Sequence, residues 1–160
     1  MQKRIVIDTN IWIKAMIDSE YNITCDDALS SFFQNKECIL ALDYKSEIER
    51  EYRDNIKNNR RFELRMKQLE REQRKCWVDS RLNKAQEAEL YNLGFHEKED
   101  HVFTGTAMNA DKILMTEDSD YGVHGETVAQ KVFVYMRDQM GLSVVTSKGV
   151  LEIVEVQLPF

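Results

Sequence analysis

Residues 4–8 read RIVID, and this stretch decides the fold. A short run of β-branched residues that stops at an acid reads as a buried strand with a polar group at its carboxyl end. Similar apolar runs recur at 38–42 (CILAL), 112–116 (KILMT) and 142–146 (LSVVT), with 150–156 (VLEIVEV) read as a fifth strand. Between them lie segments of helical character. IWIKAMI (11–17) starts as a turn of helix. DDALSSFF (26–33) follows Thr24 and Asp27, which resemble a capping box. Ser46 with Glu49 resembles a second box, opening a helix whose apolar stripe is Ile48, Tyr52 and Ile56. Further helices are read at 84–93, ending at Gly94, at 98–109, and at 126–140, ending at Gly141. Strands that alternate with helices imply βαβ units and a mostly parallel sheet.

The chain has 160 residues, 42% of them hydrophobic, enough for one domain with a substantial core. We therefore read 1–160 as a single domain. One proline and six glycines exclude collagen-like or Pro/Gly-rich disordered chains. No apolar run approaches the roughly 20 residues of a membrane helix. Asp8 interrupts the N-terminal apolar run, which argues against a signal peptide. Cys25, Cys38 and Cys76 are odd in number and lack zinc-like spacing, so they read as free thiols in a reducing compartment. The expectation is a cytoplasmic protein with no membrane partner.

The formal charge of −6 is unevenly spread. Residues 57–75, KNNRRFELRMKQLEREQRK, hold eight basic and three acidic residues, so this segment is +5 and the remainder −11. Phe62, Met66 and Leu69 give it a helical period. We read 57–84 as a protruding basic helical arm. Arg60, Arg61, Arg65 and Lys67 are its candidate phosphate contacts, and Phe62 or Trp77 its candidate base-stacking aromatics. An ordinary solvated helix face with salt-bridge pairs is the competing reading.

In an open parallel sheet, ligands bind at the carboxyl ends of the strands. Asp8 ends the first strand, and Asp118 and Asp120 follow KILMT. Asp100 opens the helix leading into that strand, and Glu51 flanks the stripe of the helix after the second strand. Converging carboxylates are costly to desolvate unless a divalent cation neutralises them, and hard oxygen ligands favour Mg²⁺ or Mn²⁺. Phosphoryl transfer is the natural chemistry of such a site. Taken singly, each of these acids also fits a turn former or helix cap.

Four blocks, in order, resemble the PIN-domain nucleases: IVIDTNIWI (5–13), LALDYKSEIEREY (40–52), EDHVFTGTAMNA (99–110) and ILMTEDSDY (113–121). The resemblance spans residues 4–121. It implies a three-layer α/β/α sandwich and an acidic quartet of Asp8, Glu51, Asp100 and Asp118, with Asp120 as auxiliary. Metal ligation would fall to Asp8, Asp100, Asp118 and Asp120, with Thr9, Asn10 and Thr116 supporting them. Glu47 is an alternative to Glu51. The implied activity is a metal-dependent endoribonuclease using Mg²⁺ or Mn²⁺, in which water attacks an RNA phosphodiester in line and leaves 5′-phosphate and 3′-hydroxyl ends. The RNA would be single-stranded or structured. His96, His101 and His124 are candidates for proton transfer or phosphate contact. Small stand-alone members of the family act as toxins of toxin–antitoxin pairs or as defence effectors, implying a neutralising protein partner or a homodimer. The alternatives are a catalytically silent scaffold and a structure-specific DNA nuclease. A haloacid-dehalogenase-type phosphatase is disfavoured, because its second Asp would stand where Asn10 does.

Overall fold

Strand β1 (Lys3–Ile7) has Ile5, Val6 and Ile7 without exposure, as a central strand covered on both faces requires. The computed structural model describes residues 1–154. The other strands are β2 (Cys38–Asp43), β3 (Lys75–Val78), β4 (Ile113–Met115) and β5 (Ser143–Val145). All pair in parallel, in the order β3-β2-β1-β4-β5. The register sets Ile5 opposite Leu40, Ile7 opposite Met115 and Asp43 opposite Val78.

The helices are α1 (Thr9–Met16), α2 (Ile23–Gln34), α3 (Glu47–Asn55), α4 (Arg60–Arg71), α5 (Lys84–Asn92), α6 (Lys98–Met108), α7 (Gln130–Asp138) and α8 (Ser147–Val154). The chain winds outward from β1 through β2 to β3, then returns past β1 to β4 and β5. Right-handed crossovers in opposite directions place their helices on opposite faces of the sheet. α1 packs on α2, α3 and α4, and α2 on α8, while α6 lies on β1, β2 and β4 and α7 on β5. The result is an α/β fold with helices on both faces of the sheet. No helix of the described residues is long and apolar enough to cross a membrane. The three cysteines are free, Cys25 and Cys38 buried and Cys76 partly so.

One face is organised around Trp12. Its ring meets Phe33 of α2, Tyr52 of α3 and Phe62 of α4, with centroids 6.0, 5.7 and 5.2 Å away. Tilted and edge-on aromatic contacts of this kind add to simple area burial.

The basic segment is therefore no protruding arm. Phe62, Met66 and Leu69 are buried, so α4 is a core helix with a charged outer face, and Phe62 is not available to stack on a base. Residues 75–78, read as part of the arm, form the edge strand β3. An edge strand needs only one well-covered side, so Lys75 and the exposed Trp77 hid it from a hydrophobicity pattern. Residues 147–154, which overlap the expected fifth strand, form helix α8. Val150, Ile153 and Val154 fall at helical spacing, and Val150 and Val154 are buried. Residues 155 and 156 of that expectation lie outside the described residues.

The caps also differ. Asn22, not Thr24, caps α2, its Oδ1 accepting from the backbone N–H of Thr24 and Cys25. Ser46 takes a left-handed backbone (φ 59°) and caps nothing, while Asp43 accepts from Glu47 N–H (3.0 Å) and Ile48 N–H (2.9 Å). α7 begins at Gln130 rather than 126.

Candidate metal centre

The strand order reverses between β1 and β4, so a crevice is expected beyond their carboxyl ends. The residues that leave those ends are Asp8 and Thr116–Asp120. Asp8 N–H donates to Met115 O (2.9 Å), which fixes one loop against the other. The Asp8 carboxylate is nearly buried and accepts from the Thr116 hydroxyl (2.7 Å). That hydroxyl in turn accepts from Asp118 N–H (2.9 Å), and Asp118 Oδ1 accepts from Asp120 N–H (2.9 Å). Asn10 Oδ1 accepts from Glu117 N–H (3.2 Å), a second tie between the two loops. Thr116 thus bears on the Asp8 carboxylate itself, whereas Asn10 bears on the backbone of the acidic loop.

Asp100 arrives from the first turn of α6. Its backbone carbonyl accepts from Thr104 Oγ1 (2.7 Å) and from the buried Tyr121 hydroxyl (3.2 Å). Carboxylate oxygens of Asp100, Asp118 and Asp120 lie within 4.8 Å of one another, a spacing that suits one divalent cation. Asp8 and Glu51 stand outside that trio but share its field. Burial raises Asp8 to about 7, with Asp118 and Glu51 adding to the rise and the Thr116 hydrogen bond opposing it. Burial, then Asp118, Asp8, Asp120 and Glu51, raise Asp100 to about 8. Glu51 is raised by burial and by Glu99 and Asp118, and Asp120 by burial, Asp118 and Glu97. Glu51, not Glu47, is the α3 acid that acts on Asp8 and Asp100. Glu47 and Glu51 both line the hollow of about 280 Å³ between α3 and α6.

Among the described residues none of these five acids has a basic partner in a salt bridge. The buried Thr9 hydroxyl makes no hydrogen bond of normal geometry, yet lies close enough to Glu51 to pull its pKa down against burial. A donor set made only of carboxylate oxygens, crowded and without a salt-bridged cation among the described residues, fits Mg²⁺ or Mn²⁺.

The other expected residues are placed differently. His101 is next to Asp100 in sequence, but its Nε2 meets Phe95 O at 2.5 Å. His96 Nε2 meets Tyr91 O (2.8 Å), and His124 pairs with Glu117 (2.6 Å). On α4, Arg61 reaches Ala15 O and Asp26, both at 3.3 Å, and Arg65 lies 4.5 Å above the Phe33 ring. Arg60 and Lys67 are exposed and form no salt bridge among the described residues. Two of the four basic candidates thus have structural duties.

Sequence reasoning missed three supports of the site. Tyr52 donates its buried hydroxyl to Ile7 O, directly behind Asp8. Tyr121 holds the Asp100 backbone. Glu117 accepts from Ser147 N–H (2.8 Å) and Oγ (2.5 Å), anchoring the acidic loop to α8. The burial of Glu117 is outweighed by the Ser147 and His124 contacts, and its pKa falls. The two tyrosines close the second and fourth quoted blocks, where their apolar character but not their hydroxyl contacts could be read, whereas nothing in the sequence pairs residue 117 with 147. Compared with protein-family models, with curated proteins and with solved structures, the chain has no significant match.

Proposed function

We propose that this protein is a metal-dependent endoribonuclease of the PIN-like kind, working through Mg²⁺ or Mn²⁺ held by Asp100, Asp118 and Asp120 beside Asp8. One observation carries the reading. Five carboxylates from four separate segments meet at the strand reversal with no salt-bridged cation among the described residues. A bound divalent ion supplies positive charge for the phosphodiester and lowers the pKa of a water at the site.

The chain's own residues do the rest. Thr116 fixes the Asp8 carboxylate and, through Asp118 N–H, the start of the 118–120 turn. Tyr121 and Thr104 hold the first turn of α6, so Asp100 enters the cluster from a rigid helix end. Glu51 is half-buried, and burial raises its pKa, so it would serve as the acceptor for the proton of an attacking water. No Ser, Cys or His nucleophile is needed.

End-labelled single-stranded RNA incubated with Mn²⁺ tests this. Wild type is expected to cleave it, leaving 5′-phosphate and 3′-hydroxyl ends, and Asp8→Asn or EDTA to abolish cleavage. Equal turnover by Asp8→Asn with the same metal dependence would overturn the assignment. So would the failure of the wild-type site to bind Mn²⁺ by calorimetry at pH 8.

A further inference from the structure

We propose that the cleft between α5 and α6 is a stacking platform for an unpaired base of single-stranded RNA whose backbone continues to the carboxylates. This rests on the nuclease reading above and adds the form of its substrate. The cleft measures about 500 Å³, in the range of small-ligand sites, and is walled by Lys84, Glu87, Tyr91, Asn92, His96 and Lys98 among others.

Among its lining residues is an aromatic pair that the fold does not bury. Tyr91 is 60% exposed, and its ring lies 4.2 Å from that of His96, tilted by 38°. The His96 Nε2 contact to Tyr91 O fixes the imidazole in that pose. The two rings are thus ordered before any ligand arrives, which lowers the entropy cost of stacking a base on them. A duplex hides the faces of its bases, so such a platform suits an unpaired strand.

The charges fit a backbone. Lys84 and Lys98 form no salt bridge among the described residues, unlike Arg4, Arg53, Arg61, Arg74, Lys75 and Arg81. Glu87 is the acid of the cleft, and two lysines outweigh it.

The cleft also joins the metal centre on two sides. Lys98 lines both this cleft and the hollow that holds Glu51. His96 lines both this cleft and a smaller hollow of about 220 Å³ that holds Asp100 and Asp120. A strand stacked at Tyr91 would therefore pass Lys98 or His96, each of which also lines a hollow holding the acids.

The test is fluorescence anisotropy with a fluorescein-labelled 12-nucleotide RNA, single-stranded, in Mn²⁺. Asp8→Asn is the background, so that the probe stays intact. Tyr91→Ala with His96→Ala is expected to weaken binding about tenfold or more, with an unchanged melting temperature, and Tyr91→Phe to restore most of it. Lys98→Gln is expected to lower the slope of log affinity against log salt by about one contact. Unchanged affinity in the double variant, while wild type still cleaves, overturns the platform and leaves the nuclease reading intact. Tyr91-dependent binding without cleavage by wild type sustains the platform and sinks the nuclease reading. Absence of binding to the probe overturns the platform outright.

Discussion

Thr116 is the residue through which β4, the Asp8 carboxylate and the acidic turn hold one another. Thr116→Val removes one hydroxyl but leaves both Asp8 Oδ2 and Asp118 N–H without that partner. The expected cost is about 1–3 kcal/mol, measured by denaturant unfolding, with a loss of metal affinity larger than that of stability. The acids themselves set a pH dependence. Asp8 keeps its proton in the folded, metal-free protein up to about pH 7 and Asp100 up to about pH 8, whereas both lose it near 4 in the unfolded chain. Raised carboxylates add stability that is present at low pH and lost as pH climbs from about 4 to 8. In EDTA, the melting temperature should therefore fall across that window, and the fall should shrink in Asp8→Asn and Asp100→Asn. Mn²⁺ held by these acids would need them deprotonated, so its stabilising shift should be larger at pH 8 than at pH 5.5. A metal-induced shift independent of pH would contradict the placement of the ion among these groups.

Two contacts lock elements together away from the acids. Arg74, just before β3, is 3% exposed and gives its guanidinium hydrogens to Phe32 O, Phe33 O, Asn35 O and Cys38 O. The first three carbonyls belong to the C-terminal end of α2, where a cation also meets the helix dipole favourably. Arg74→Ala should cost about 3 kcal/mol or more, since it strands several buried carbonyls at once, and Arg74→Lys should recover only part. On the other face, a Cβ at Gly105 would lie 1.8 Å from Ser80 O, and Asn109 ties α6 to Asp79 O and Arg81 O. Gly105→Ala should lower thermal stability and, because α6 carries Asp100, metal affinity as well. At this scale the sequence was readable where an element is buried on both sides. β1, β2 and β4 announced themselves, and the helix around Glu51 carried a clear stripe. β3 was not readable, because an edge strand has one apolar side and its Lys75 answers to Glu49 and Glu70 on other elements. α8 was misread because Val150, Leu151, Ile153 and Val154 make a short β-rich apolar run that length alone lets pass for a strand, and what decides is α2 lying opposite.

Across the whole molecule, the pattern of alternating strands and helices sufficed for a parallel sheet with helices on both faces. The placement of acids after strands sufficed to gather them at one end. What stayed hidden was every link between distant segments, such as Glu117 to Ser147, and the covered state of α4. The basic charge of 57–75 is real, but part of it serves the fold through Arg61, Arg65, Arg74 and Lys75. Arg60→Gln with Lys67→Gln is the clean test of that face. If it guides RNA, the double variant should flatten the salt dependence of binding without moving the melting temperature. The split origin of the acidic cluster has a further consequence, in time rather than in space. Asp8 and Asp118 are separated by about 110 residues, and β1 pairs with β4 only after the whole intervening chain has been made. At about 5–20 residues per second, that leaves roughly 5–20 s during which a nascent chain carries its first acid but no assembled centre. On the nuclease reading proposed above, each molecule would thus be inert toward the message being read to make it until its translation is well advanced.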